Sequence, residues 1–421
     1  MMKTGHSFSR ITKRISASKN GKVLAENFAA LLLLQVAGYV FPFITLPYLS
    51  RTIGVEHFGD IAFATAIMVY CQTVVDYGFI FSAVRDIARC KEDKKEASAI
   101  FTRVMWARFF LVLVSFALLL LCILFIPKLY GMRLILLYSF FMVIGHALFP
   151  DWMFQALEKM KYITILNLLT KFLFTVLVFV VIREQDDYIY QPILTSLGFC
   201  ISGIISLILL WKMGFRMGRF RIKEVLSTIR SNTDLFINQI VPNLYNSLST
   251  IFLGFMSGST ANGIFDAGNR FNNISSQFIA IISRVFYPYL SRNIQQHSLY
   301  LKLHLGISFC AGLFLFVTAP LLIDLFFTEE FEEAVLVLRI MSCSLIFLSL
   351  SNVFGTNYLI VIGKEKELRN CTMVASIAGF FIMIPLVYYF SYIGAAFTII
   401  IARGLIALLV TRRALHYKYM T

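Results

Sequence analysis

The sequence has few charged residues and lacks the short motifs that mark common soluble enzymes. Charged side chains make up 14% of its 421 residues, whereas a soluble domain has about a quarter. Neither the nucleotide-binding pattern GxxxxGK followed by Ser or Thr nor the zinc-protease pattern HExxH occurs. The seven cysteines show no CxxC spacing, which argues against a disulfide framework and a cysteine metal site. We therefore expect no enzyme activity and no cofactor.

Apolar residues dominate the chain. They make up 58% of it, the mean hydropathy is +0.77, and there are 42 Phe. A membrane-spanning helix needs about 20 mainly apolar residues. The pattern predicts an all-α polytopic membrane protein with twelve spanning helices, at about 24–46, 58–84, 104–126, 131–154, 162–182, 189–211, 233–256, 262–290, 303–327, 334–362, 371–390 and 392–411. The first run is too long for a signal-peptide core, so it is expected to be retained.

Lysine and arginine alternate sharply between the predicted loops. The loops on one side of the membrane, with both termini, hold 28 of these residues, and the loops on the other side hold 4. Positively charged loops stay in the cytoplasm, so both termini are predicted there and the acidic stretch 329–333 outside. This bias explains the net charge of +15 better than a nucleic-acid partner does. The predicted location is the cytoplasmic (inner) membrane of a bacterium.

The chain also has the pattern of a duplication. At an offset of 204 residues, Gln35 matches Gln239, Gly54 matches Gly258 and Gly59 matches Gly263. Six helices per half give both halves one orientation, so a pseudo-two-fold axis along the membrane normal would relate them. The predicted organisation is a basic N-terminal arm (1–22), an N lobe (23–211), a cytoplasmic linker (212–232), a C lobe (233–411) and a cytoplasmic tail (412–421).

Six cations lie within the predicted helices: Arg108, Lys171, Arg270, Arg284, Arg339 and Arg403. A charge near the bilayer centre costs about 3 kcal/mol, so it usually faces a cavity or a partner. Arg108 and Arg339 lie near predicted helix ends, where snorkelling to the interface would explain them. Lys171 and Arg403 lie near mid-helix. A cationic membrane interior is typical of a protein that contacts a negatively charged molecule.

Polar residues follow one face of each of two neighbouring helices. In the eighth helix the spacing is 4, 3, 4 and 7, through Asp266, Arg270, Asn273, Gln277 and Arg284. In the seventh it is 4, 3 and 4, through Gln239, Asn243, Asn246 and Thr250. These faces predict a water-filled cavity between the halves, lined also by Lys171 and Arg403. The alternative is a dry bundle with interhelical hydrogen bonds, in which Asp266 and Arg270 form a structural ion pair.

Two acids within the helices could bind a coupling ion, either a proton or sodium. Asp76 in the second helix is the first candidate and Asp266 is the second. Asp76 could equally be the permanent salt-bridge partner of a cavity cation.

Several segments resemble bacterial polysaccharide repeat-unit flippases, the Wzx-type or O-antigen flippase family. They are TLPYLSRTIGVEHFG (45–59), DYGFIFSAVRDIA (76–88), FPDWMFQALEKMKY (149–162) and FDAGNRFNNI (265–274). Ala156 stands where the family usually has Gly. The resemblance implies the two-lobed fold of the multidrug/oligosaccharidyl-lipid/polysaccharide exporter superfamily. It also implies an undecaprenyl-pyrophosphate-linked oligosaccharide as substrate, and an association with polysaccharide polymerase machinery would fit.

Two other functions compete with this interpretation. A multidrug antiporter of the same superfamily would move organic cations, which a cavity rich in Arg and Lys would repel. A membrane polysaccharide polymerase or glycosyltransferase would be expected to carry a substantial outer loop with its catalytic groups, and none of the predicted loops is long enough.

Overall fold

The computed structural model describes the backbone of residues 19–90, 93–241 and 243–420. The side chains of some residues within these ranges, including Asn243 and Asn246, lie outside the described part. All regular structure in the described part is helical. The predicted all-α class is confirmed, and the helices group into twelve membrane crossings within the described ranges.

We number the crossings α1 to α12. A break at Gly54 divides Lys19–Asp76 into α1 and the start of α2, and α2 continues after a second break as Phe79–Arg89. The rest of the N lobe comprises α3 (Lys94–Phe125), α4 (Arg133–Leu148 and Asp151–Ala156), α5 (Met160–Val181) and α6 (Tyr190–Lys212). A linker helix, Ile222–Ser231, follows.

The C lobe begins with α7 (Thr233–Ile240 and Asn243–Ser257) and α8 (Ser259–Arg292). It continues with α9 (His297–Phe326) and α10 (Ala334–Ser342, Ser344–Ser351 and a π-helical stretch, Asn352–Leu359). A break at Ser391 divides Glu365–Met420 into α11 and α12. Short helices lie between crossings at Pro127–Gly131, Gln185–Ile189, Ile294–Gln296 and Glu329–Phe331.

Apolar length alone does not identify all of these crossings. In the described part, eight helical stretches are long and apolar enough to span a membrane, and two of them, Phe43–Arg89 and Glu365–Tyr417, each contain two crossings. The two crossings without such a stretch are α7 and α8, which carry the polar stripes. Their polarity is acceptable in a membrane only where it faces protein or water.

The structure supports the duplication at the break between the first two crossings of each lobe. Gly54 separates α1 from α2 with φ 72° and ψ 175°, and Gly258 separates α7 from α8 with φ 91° and ψ −176°. Positive φ is open to glycine at little cost but strained for other residues. The same backbone conformation thus recurs at residues 204 positions apart, as the sequence match indicated.

The third crossing begins ten residues earlier than predicted. Asp93 caps it, because its carboxylate accepts hydrogen bonds from the backbone N–H groups of Lys95 and Glu96. The residues from Lys94 to Arg103 are too polar for an apolar run, so hydropathy did not include them. Arg108 consequently lies well inside α3 rather than near its end.

The loops define two faces of the membrane domain. The basic face carries the Lys- and Arg-rich loops, including 85–103 and 212–230, and the acidic face carries 329–333. At the acidic face the first turns of α2 and α8 pack against each other, and each helix contributes one glycine to the contact. A Cβ on Gly59 would lie 1.7 Å from the carbonyl oxygen of Ser259, and one on Gly263 would lie 2.2 Å from that of Val55. Only glycine allows this approach, and it joins the two lobes.

Candidate functional site

A central cavity of about 490 Å³ lies between the two lobes. Both lobes contribute polar side chains to it, so it is not the interior of either bundle. The N lobe supplies Thr65, Ser139, Gln191 and Thr195, and the C lobe supplies Ser247, Thr250, Asp266, Asn269, Arg270, Asn273 and Arg403. The geometry therefore supports the predicted cavity over a dry bundle.

Arg270 is the central cation of this cavity. It lies eleven residues after the start of α8, roughly 17 Å along the axis and thus near the middle of the membrane. Its Nε donates a hydrogen bond to Asp266 Oδ2 at 2.8 Å, and its guanidinium lies 4.7 Å from the centroid of the Phe58 ring. The Arg270 side chain remains 36% exposed, so a ligand in the cavity can still reach it.

A smaller side chamber of about 140 Å³ shares Arg270 and Gln191 with the central cavity. Lys171 of α5 lines this chamber, together with Thr45 and Phe174. In the described part of the chain, no carboxylate forms an ion pair with Lys171. The chamber thus brings two predicted cations, Lys171 and Arg270, to one small enclosed space.

Arg403 of α12 reaches the central cavity from the other side of the C lobe. Its Nη1 donates hydrogen bonds to the hydroxyls of Ser344 at 2.8 Å and Ser276 at 3.2 Å. These contacts fix a guanidinium that is only 9% exposed. Arg270 and Arg403 therefore line one cavity, as predicted.

Arg284 does not join this group. It is exposed and lines neither the central cavity nor the side chamber. It follows Arg270 by fourteen residues, or roughly 21 Å along the helix axis, which puts it towards the basic face. The predicted convergence of four cations is therefore wrong for Arg284, because α8 is a continuous helix long enough to separate the two arginines.

The predicted Asn and Gln residues also lie at different places in the structure. Asn273 lines the central cavity, whereas Gln277 is exposed and lies outside both spaces. Gln239 instead accepts a hydrogen bond from the backbone N–H of Gly78 at 3.1 Å, across the two lobes. The side chains of Asn243 and Asn246 lie outside the described residues.

Sequence reasoning missed six polar residues of the cavity: Thr65, Ser139, Gln191, Thr195, Ser247 and Asn269. Gln191 and Thr195 enter it from α6, and Asn269 enters it from α8. The first two are one helical turn apart just after the Asp186–Asp187 loop, a spacing that could have indicated a shared face. Asn269 precedes Arg270 in α8 and does not belong to the predicted polar face with spacings of 4, 3, 4 and 7.

Contacts between the lobes close the acidic face. The Ser50 hydroxyl donates to the carbonyl of Phe326 at 3.0 Å, and the Val55 N–H donates to Glu330 at 3.0 Å. The Ser259 hydroxyl donates to Asp60. Lys128 also crosses the lobes, donating to the carbonyl of Gly254, and burial there lowers its pKa. The central cavity is thus separated from the acidic face by packed protein.

A second contact between the lobes lies towards the basic face. Tyr77 and Gly78 interrupt α2, both with positive φ, at 43° and 76°. The Tyr77 ring stacks on that of Phe236 in α7, with centroids 4.3 Å apart and planes 4° apart. A Cβ on Gly78 would lie 2.6 Å from the Cβ of Leu235, so glycine is required for this approach.

An ion cluster lies beside this break, inside the N lobe. Arg108 donates to Asp76 Oδ1 at 2.8 Å and to the carbonyls of His146 and Phe149 at 3.1 and 3.3 Å. Its side chain is 1% exposed, so the prediction that Arg108 snorkels is wrong. His146 Nε2 lies 3.0 Å from both carboxylate oxygens of Asp76. Arg339, in contrast, lies near the start of α10 in a cleft with the acidic residues of its face, as expected.

The loop before α6 holds one well-bonded acid on the acidic face. Backbone N–H groups of Arg183 and Glu184 donate to Asp187 Oδ2 at 2.9 and 3.0 Å. These two hydrogen bonds lower the pKa of Asp187 below its usual range. The contact orders a loop whose Tyr188 stacks on His57, with ring centroids 3.8 Å apart.

Comparison with known proteins places this site in a family context. The sequence profile described as "Polysaccharide biosynthesis protein" matches residues 24–294. An Escherichia coli (strain K12) protein named "Putative O-antigen transporter" is 28% identical over 394 residues, 91% of this chain and 94% of that protein. A Shigella dysenteriae protein of the same name is 27% identical over 393 residues, 91% of this chain and 98% of that one.

Solved structures share the fold. The lipid II flippase MurJ, in an inward closed conformation, gives a TM-score of 0.74 at 15% identity, covering 94% of this chain and 88% of that one. An inward-facing multidrug resistance MATE family transporter of the MOP superfamily gives 0.67 at 12% identity, covering 94% and 98%. At these identities the likeness establishes the two-lobed architecture alone.

Proposed function

Since this chain belongs to the polysaccharide biosynthesis protein family, we propose that it is a flippase for a lipid-linked oligosaccharide. The substrate would be an undecaprenyl-pyrophosphate-linked repeat unit, moved from the cytoplasmic to the periplasmic leaflet. The names of the two bacterial relatives support O-antigen as the class of polysaccharide. The observation that carries the proposal is the position of Arg270, where the side chamber meets the central cavity.

The two spaces suit the two polar parts of such a substrate. A pyrophosphate needs cations, and Lys171 with Arg270 would bind it in the side chamber. A glycan needs hydrogen-bonding partners, which Asn269, Asn273 and Gln191 offer in the larger cavity. The lipid tail would stay in the bilayer beside an opening. Gln239, Asn243, Asn246, Gln277 and Arg284, predicted for the same role, would act along the path rather than at this centre.

We propose that the basic face is cytoplasmic, on the basis of the 28-to-4 distribution of Lys and Arg. Both termini would then be in the cytoplasm of the bacterial cell, and the acidic face would be periplasmic. The lobes, 23–211 and 233–411, would rock about the central site through the linker 212–232. The packed acidic face would then correspond to a state closed towards the periplasm, and a polymerase would meet the product there.

Transport is proposed to be driven by an ion gradient. Asp266 pairs with Arg270 and would compete with the pyrophosphate for it. A proton or sodium ion that neutralised Asp266 would therefore change how strongly Arg270 holds the substrate, and would bias the two states. Asp76 is the other candidate acid, and its partners are Arg108 and His146 rather than a cavity cation.

The competing function within this fold is multidrug antiport, which the MATE likeness suggests. Three cations, Lys171, Arg270 and Arg403, line the two spaces, and Asp266 is the acid among the described lining residues. An organic cation would be repelled by this excess, so the charge of the cavity favours the anionic substrate.

Replacing Arg270 tests the proposal. Arg270→Ala should abolish export of the repeat unit at normal protein level, and Arg270→Lys should restore it only in part, because lysine lacks the bidentate fork. The measurement is surface polysaccharide in a strain whose only flippase is the variant. Arg339→Ala is the matched control, since it removes an intramembrane arginine outside both spaces. Normal surface polysaccharide with Arg270→Ala would refute the assignment.

A further inference from the structure

The ion cluster of the N lobe has a charge that depends on one proton. Its members come from α2, α3 and α4: Asp76, Arg108, His146 and Asp151. The Phe149 carbonyl that accepts from Arg108 also accepts from the backbone N–H of Asp151 at 3.0 Å, and Asp151 Oδ1 accepts from the backbone N–H of Trp152 at 2.9 Å. Among the described residues, Asp76, Arg108 and His146 contact one another directly, and Asp151 is the further charged or titratable group beside them.

The charge count of the cluster favours binding of a proton. If Asp76 and Asp151 are both ionised and His146 is neutral, the two carboxylates and one guanidinium leave one negative charge. An unbalanced charge inside a membrane protein costs several kcal/mol in effective terms. One added proton makes the cluster neutral. His146 Nε2 faces both oxygens of Asp76 at 3.0 Å, so Nε2 carries a hydrogen and donates, and the proton would add at Nδ1.

The side of this cluster formed by His146 and Asp76 is more open than the side formed by Arg108. The side chains of His146 and Asp76 are 24% and 26% exposed, whereas that of Arg108 is 1% exposed. The guanidinium is thus a fixed charge held by two backbone carbonyls. His146 and Asp76 are thus the more open part of the cluster, where proton exchange would take place.

Asp76 is also the last residue before the break in α2. The next two residues make the contact with the C lobe, through the stack of Tyr77 on Phe236 and the hydrogen bond from Gly78 to Gln239. Asp76 lies twenty-two residues after Gly54, roughly 33 Å along α2, so this contact is near the basic face. A change in how Asp76 is held therefore acts directly on the contact between the lobes.

We infer that this ion cluster binds the coupling proton, with His146 as its acceptor, and that its charge state controls the contact between Tyr77–Gly78 and α7. With the proton bound, the His146–Asp76 hydrogen bond is charge-assisted and roughly twice as strong as a neutral one. With the proton released, Asp76 keeps only Arg108 as a cationic partner and is repelled by Asp151. The end of α2 is then held less firmly, and the lobes separate at the basic face.

The geometry favours a proton over sodium at this site. Sodium is a hard cation and requires several free oxygen ligands. Both oxygens of Asp76 already face His146, and one of them also accepts from Arg108. This inference deepens the proposed ion coupling and rests on it for its role in transport, but proton binding itself can be measured without substrate.

The test measures the distance between the lobes on the basic face. Spin labels on Arg89→Cys and Glu365→Cys, both exposed, report it in a chain whose native cysteines are replaced. The distance distribution should differ between acidic and basic buffer, because the added proton removes the negative charge of the cluster. His146→Gln should lose the shift, because glutamine can still donate to Asp76 but cannot take up a proton.

His304→Gln is the matched control. His304 is buried in the C lobe, where its ring nitrogens contact the Ser349 hydroxyl and the carbonyl of Ile279. This variant should keep the shift. A His146→Gln protein that still responds to pH, or a parent that does not respond, would overturn the inference. Failure of the flippase proposal would instead appear as normal polysaccharide export with Arg270→Ala, which this measurement does not involve.

Discussion

The polar network packed inside the N lobe around Arg108 contains ions, whereas the network packed inside the C lobe around Asn357 is neutral. Arg108, Asp76 and His146 hold three N-lobe helices together through charged contacts. In the C lobe the side-chain amide of Asn357 donates to Ser283 Oγ at 3.0 Å and also contacts the Tyr300 hydroxyl. The same architecture thus tolerates two kinds of polar interior, one held by charged groups and one held by neutral hydrogen bonds.

The difference in charge implies a difference in sensitivity to mutation. Removing one partner of a buried ion pair leaves an uncompensated charge, whereas removing one partner of a neutral hydrogen bond leaves only an unsatisfied dipole. The N lobe should therefore lose more stability than the C lobe when one buried arginine of each is replaced.

The largest effect is expected for Arg108→Met. Asp76 and Asp151 would lose their fixed counter-charge, and we expect a loss of about 3 to 5 kcal/mol of stability. Thermal unfolding of the purified protein in detergent measures it. The double variant with Asp76→Asn should recover part of the loss, because the two residues are coupled. A single variant as stable as the parent would contradict the ion cluster.

A smaller loss of stability is expected for Arg403→Met in the C lobe. Its guanidinium donates to the hydroxyls of Ser276 and Ser344, which carry no charge when it is removed. We expect a loss of about 1 to 2 kcal/mol, together with a strong loss of polysaccharide export, because Arg403 lines the cavity. The same unfolding measurement and an export assay separate the two effects. A loss as large as that of Arg108→Met would erase the contrast between the lobes.

The smallest effect is expected outside the membrane, for Asp187→Asn. Because its folded pKa is lowered, the carboxylate stabilises the loop above the ordinary aspartate pKa, and this contribution is lost as the pH falls through the folded value. At neutral pH the variant should melt slightly below the parent, and the difference should vanish in strong acid. Asp186→Asn is the control. An equal decrease in melting temperature for this variant would show that the two backbone hydrogen bonds to Asp187 do not cause the effect.

Much of the fold followed from the apolar pattern, while contacts between distant residues did not. Hydropathy predicted the crossings, and the charge of the loops predicted that their number is even. Hydropathy could not locate the start of α3, because this helix begins at a cap on Asp93, before the apolar run starts. The family resemblance is confirmed by the match over residues 24–294.

The candidate site was predictable where one helix carries the signal. Asp266, Arg270 and Asn273 share a stripe of α8, and all three line the cavity. His146 contacts Asp76, which is seventy residues away in the chain. Helical spacing within one segment carries no information on such a contact.

The reciprocal contact of Gly59 and Gly263 has an evolutionary consequence. In an interface related by a two-fold rotation, one surface meets a copy of itself. Gly59 meets Ser259, and Gly263 meets Val55, the residue equivalent to Ser259 at the offset of 204. A six-helix ancestor could therefore have closed this face as a homodimer before the gene was duplicated. Fusion of two copies would then free each half to mutate independently.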